Sequence, residues 1–114
     1  MKATTENIYA RSKLSEAVRL LAVGEEDVRH RIGWAAKELV ILRPEDLPEP
    51  FRKQLSLILE HCSARGTLLA SDGTTALGAI QNTVLRLRKK TASNIAQQIY
   101  NLFHEVDHYV QNSE

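Results

Sequence analysis

Thr91-Ala92-Ser93-Asn94-Ile95-Ala96-Gln97-Gln98-Ile99-Tyr100-Asn101-Leu102-Phe103-His104-Glu105-Val106-Asp107-His108-Tyr109-Val110 is the stretch that decides the fold. Within it Ala92, Ile95, Ala96, Ile99, Leu102, Phe103, Val106 and Val110 recur at i, i+3, i+4 and i+7. At about 100° per residue they draw one apolar stripe along an α-helix. An isolated helix gains little stability in water, so a stripe of this length requires other helices to cover it.

Working toward the N-terminus, the same periodicity predicts four partners. The first helix carries Ala10, Leu14, Ala17, Val18 and Leu21, and Gly24 is expected to end it in a left-handed conformation. Glu25, Glu26 and Asp27 then place negative charge at the amide end of a second helix, with the stripe Val28, Ile32, Ala35, Ala36 and Leu39. Pro44, Pro48 and Pro50 interrupt the chain, and Pro50 fits the first turn of a third helix bearing Phe51, Leu55, Ile58 and Cys62. That helix is expected to end near Arg65 and Gly66, with residues 67–72 reading as a loop. Asp72 or Thr74 is the expected cap of a fourth helix with the stripe Leu77, Ile80, Val84 and Leu87, in which Gly78 costs about 1 kcal/mol relative to alanine. The stripes of helices four and five differ in phase, so a break is expected between Lys89 and Ser93, with Thr91 as the cap of helix five. Sustained alternation of the kind strands show is absent. The expected fold is all-α, a compact bundle of four to five helices forming a single domain over residues 1–114.

Composition agrees with a globular domain. Of 114 residues, 43% are hydrophobic and 25% charged, which excludes the disordered and membrane-embedded classes. No apolar run approaches a signal or membrane span, and the expected location is the cytoplasm, without a membrane partner. Cys62 is the only cysteine, which rules out an internal disulfide and suits a small core residue. The net charge of +1 is small for a general nucleic-acid binder. The charge is unevenly spread, however: residues 51–90 hold seven basic and two acidic side chains, whereas residues 91–114 hold three acidic and no basic ones. Within the basic block, Arg86, Arg88, Lys89 and Lys90 form a patch able to track phosphates, with Arg52, Lys53 and Arg65 as the nearest additions. At the C-terminal end of helix four, compensation of the helix dipole accounts for such a patch without any ligand. The segment from Thr91 to Ile99 resembles the first helix of a helix-turn-helix, but its pattern runs on through Phe103 and Val106 without the turn and recognition helix.

One motif resembles a catalytic one. His104-Glu105-Val106-Asp107-His108 spells H-E-x-x-H and resembles the signature helix of zincin metallopeptidases. The resemblance implies His104 and His108 as zinc ligands and Glu105 as the base that activates metal-bound water. Phase argues the other way, since Val106 occupies the middle of the core stripe and both imidazoles project roughly opposite to it. They are expected to face solvent, with only Glu114 downstream and His30 or His61 elsewhere as further donors. No cofactor is expected.

Helix two is apolar on two sides. Trp34 and Ile41, seven residues apart, lie opposite its core stripe, with His30 and Lys37 beside them. Either the helix is central and both faces are internal, or the Trp34 face meets a second chain, as aromatic residues often do at interface cores. Tyr9, Leu20 and Leu85, also off their stripes, add to the second reading. The expected function is that of a non-enzymatic helical interaction or regulatory module, of a small bacterial accessory type. It would act on a protein partner or on a second copy of itself, with a zinc-dependent hydrolase and a nucleic-acid-binding accessory as the alternatives.

Overall fold

α1 (Thr5–Val23) and α2 (Val28–Leu39) run antiparallel in the computed structural model, which describes residues 5–69, 71–73 and 75–112. Two cross-links fix their register: Lys13 Nζ donates to Glu38 at 3.3 Å, and Arg31 Nη1 donates to the Leu21 carbonyl at 2.6 Å. Asp27 caps α2 through its carboxylate, which accepts from the Arg29 amide at 2.8 Å, as the acidic run before the helix implied. A 3-10 turn (Pro44–Asp46) follows, closed by the buried Asp46 side chain on the Arg43 amide at 2.9 Å. It leads into α3 (Glu49–Ser63), with Pro50 in the first turn.

The chain then departs from the expected loop and helix. Two short antiparallel strands, β1 (Leu68–Leu69) and β2 (Thr75–Leu77), make a small hairpin, and α4 covers only Ala79–Val84. Leu77 therefore belongs to a strand, and Gly78 stands at the N-cap rather than inside the helix. Asp72 does not cap α4, and Thr74 lies outside the described residues. The chain breaks at Leu85–Leu87, a few residues before the expected place. The last helix, α5 (Lys89–Gln111), then opens with Arg88 at its N-cap in place of Thr91. Its 23 residues rise about 34 Å.

The stripes meet in one core. Ala10, Leu14 and Ala17 from α1, Ile32, Ala35, Ala36 and Leu39 from α2, Leu55, Ile58 and Cys62 from α3, Val84 from α4, and Ala92, Ile95, Ile99, Leu102, Val106 and Val110 from α5 are all buried there. Leu42 and Leu47, on either side of the 3-10 turn, join them. α1 and α5 lie side by side, tied at the surface by Arg11 and Asp107 at 3.7 Å. α3 runs antiparallel to α5, with Phe51 packed edge-on against Tyr109 at 5.8 Å between ring centroids. The fold is an all-α bundle of five α-helices among the described residues, elongated at 53 × 27 × 19 Å, with the hairpin as an appendage.

Gly24 corrects one detail. It does not adopt the left-handed conformation; among the described residues only Gly66 and Gly73 have positive φ. Its missing side chain serves a close approach instead, since a Cβ there would lie 2.6 Å from Cγ of Arg31. The Arg31 stem crosses the turn at Gly24 on its way to the Leu21 carbonyl.

Candidate interaction surface

α4 packs onto α2 beside Gly33, which is buried in mid-helix. Glycine weakens a helix interior by about 1 kcal/mol, so its position there has a packing reason: a Cβ would sit 3.2 Å from Cγ2 of Val84. α4 is six residues long and packs against α2. Between them runs a trough. Its wider part, about 470 Å³, is lined by Lys37, Val40, Leu59, Ile80 and Gln81 among others. Its narrower part, about 60 Å³, is lined by His30, Gly33, Trp34 and Leu85, and it shares Lys37, Ile80 and Gln81 with the first.

Three of the four residues singled out on this face from the sequence are thus brought together: His30, Trp34 and Lys37, at i, i+4 and i+7. Trp34 is 38% exposed, so the indole is neither internal nor free of the fold. Ile41 is 54% exposed but lies in the turn after α2 and does not line the trough. Val40, at 55%, takes its place there. The signal for Val40 is its apolarity at a helix end, and for α4 the signal is a glycine in the middle of an otherwise strong helical pattern. Of the other off-stripe residues, Leu85 lines the trough, whereas Tyr9 lies exposed on α1 with Lys13 Nζ 5.9 Å from its ring centroid.

The electrostatics of the trough are one-sided. Lys37 lines both parts and His30 one end, and no described carboxylate lines either. Asp27 lies 3.6 Å from Nδ1 of His30 but is already held by the Arg29 side chain at 3.2 Å and by the Arg29 amide. Those hydrogen bonds, the side-chain one first, lower its pKa to about 2. Lys37 forms no ion pair with any described residue.

The basic patch is placed differently from expectation. Because α4 ends at Val84, Arg86 falls in the turn, Arg88 at the N-cap of α5, and Lys89 and Lys90 in its first turn. The helix dipole at that end disfavours cations, so dipole compensation does not account for them. Arg86 has a structural role, since its Nε donates to Asn82 Oδ1 at 3.0 Å. Asn82, buried between α3 and α4, donates in turn to the Gly66 carbonyl at 3.0 Å, and Thr83 Oγ1 accepts from the Arg65 amide at 3.0 Å.

The H-E-x-x-H segment stands on the outer side of α5. Val106 is fully buried, and His104 and His108 are both exposed. His104 packs edge-on against Tyr100 at 4.5 Å between ring centroids, and the Asn112 amide lies 3.1 Å from Nδ1 of His108. Each imidazole contacts a side chain on the side away from the other. Glu105 lines a separate shallow groove facing α3, with His61, Gln54 and Leu57. Among the described residues no group of three His, Cys, Asp or Glu side chains is gathered as a metal donor set. No helix among them is long and apolar enough to cross a membrane.

Compared with known protein families, curated proteins and solved structures, the chain finds no match. What the fold and this surface define is a class: a small all-α bundle with an apolar trough, lined by one lysine, between its second and fourth helices.

Proposed function

We propose that the chain is a non-enzymatic helical interaction or regulatory module whose working surface is the outer face of α2 together with α4. The observation that carries this reading is the position of Trp34. A large aromatic side chain, 38% exposed, stands beside an apolar trough instead of completing the core. Aromatic residues dominate the energetics of interface cores, and contiguous exposed apolar surface on a small domain marks a place where another macromolecule binds. The trough floor, with Leu59, Ile80, Val84 and Leu85, supplies the apolar depth that such an anchor requires.

Site-specific photocrosslinking in the source cell tests the reading. A photoreactive side chain in place of Trp34 or Val40 is expected to capture a macromolecule, either another protein or a second copy. The same group in place of Glu60, on the exposed side of α3, is expected to capture none. Equal capture from all three positions, or none from any, contradicts the proposal.

A further inference from the structure

Resting on that reading of the α2 face, we infer that its occupant is an acidic amphipathic helix of another protein. Shape comes first. From His30 to Val40 the strip along α2 rises about 15 Å, the length over which an amphipathic helix presents anchors at i, i+3 or i+4, and i+7. The wider part, about 470 Å³, has room for the anchor side chains of a helix laid along the strip, whose backbone stays outside.

Charge then selects the chemistry of that helix. Lys37 lines both parts of the trough, His30 lines one end, and no described Asp or Glu lines either part. Lys37 is unpaired among the described residues, and the only carboxylate beside His30 is already bound by Arg29. Past Leu85 the chain runs into Arg88, Lys89 and Lys90, which also pair with no described carboxylate. A partner carrying Glu or Asp at the flanks of its apolar stripe meets Lys37 with complementary charge, which favours both encounter and register. A second copy of this chain does not. A two-fold contact apposes the same strip, whose described lining offers Lys37 no carboxylate from the second copy. A nucleic acid gains a phosphate contact from Lys37 but leaves the apolar floor unfilled.

The test uses the full chain and three helical peptides of about 15 residues, lacking tryptophan, with leucine at i, i+3, i+4 and i+7. Their flanking positions are Glu in one, Gln in the second and Lys in the third. Trp34 is the only tryptophan of the protein, so its emission reports the trough directly. The Glu peptide is expected to bind with a blue shift, about tenfold or more tighter than the Lys peptide and weakening with salt. Lys37→Glu is expected to reverse the order of preference while leaving the circular dichroism unchanged, which separates charge recognition from misfolding.

Equal binding of all three peptides, an unchanged order in Lys37→Glu, or no binding by any of them overturns the inference. So does a duplex DNA that shifts Trp34 more strongly than the Glu peptide. A wild-type dimer in sedimentation, with Trp34 shielded before any peptide is added, assigns the surface to a second copy. That outcome removes the acidic partner and leaves the interaction-module reading standing, whereas failure of the crosslinking removes that reading.

Discussion

Val84 on α4 meets α2 at Gly33: its Cγ2 lies 3.2 Å from the point where a β-carbon of residue 33 would stand. The contact sets how deeply α4 seats, and therefore how much of the Trp34 face stays open. Replacing Gly33 by alanine sets a helix-propensity gain of about 1 kcal/mol against a tight contact, and the net change in stability is expected to stay within about 1 kcal/mol. Gly33→Leu is expected to lift α4 and to cost about 1–3 kcal/mol, read as a lower urea midpoint, with the Trp34 emission moving to the red.

Asn82 links three segments through its side chain, donating to the Gly66 carbonyl and accepting from Arg86. Asn82→Ala leaves a half-buried carbonyl and a guanidinium without that partner. An expected loss of about 1–3 kcal/mol in denaturant unfolding follows, with amide exchange quickening first around Gly66 and α4.

Gly24 and Arg31 are coupled by contact, so their substitutions are expected to be non-additive. Gly24→Ala alone forces the Arg31 stem off its path and is expected to destabilise the chain. In an Arg31→Ala background the same change is expected to be close to neutral. A double-mutant cycle with a coupling energy of about 0.5 kcal/mol or more bears this out, and simple additivity contradicts it.

Two groups give the stability a direction with pH. The hydrogen bonds from Arg29 hold the Asp27 pKa at about 2, below its ordinary 3.8. A depressed carboxylate stabilises the fold above its ordinary pKa, and that contribution is lost as pH falls from about 4 toward 2. Burial raises Cys62 from 9.0 to about 11, so the folded chain keeps its thiol proton where the unfolded chain has lost it. Stability therefore falls as pH rises from about 9 toward 11. Thermal melts at these four pH values check both signs, and Cys62→Ser is expected to remove the alkaline slope but not the acid one.

The stripes of α1, α2, α3 and α5 are legible in the sequence because each repeats over enough turns for 3.6-residue periodicity to be distinguished from chance. α4 is not. Leu77, Ile80, Val84 and Leu87 keep helical spacing, but only Ile80 and Val84 are in the helix; Leu77 is in a strand and Leu87 in the following turn. A core accepts apolar side chains from irregular segments as readily as from regular ones, so spacing alone overextends a short helix. Gly78, an interior weakness by spacing, marks the beginning of the helix.

The shifted boundary moves the charges with it. With α4 ending at Val84, Arg88, Lys89 and Lys90 pass from the favourable negative end of one helix to the unfavourable positive end of the next. Trp34 is legible as a residue off its stripe. The trough beside it is not, because it depends on where α4 lies, and the only trace of that in the sequence is Gly33.

The α2 face can serve as a docking surface only while the indole of Trp34 stays partly open in the isolated chain. Acrylamide quenching of its fluorescence, at a concentration where the protein sediments as a monomer, measures this directly. Quenching intermediate between that of a core indole and that of a free one is the predicted result. A blue-shifted, unquenchable emission from the monomer would place Trp34 inside the core and leave the α2 face without its anchor.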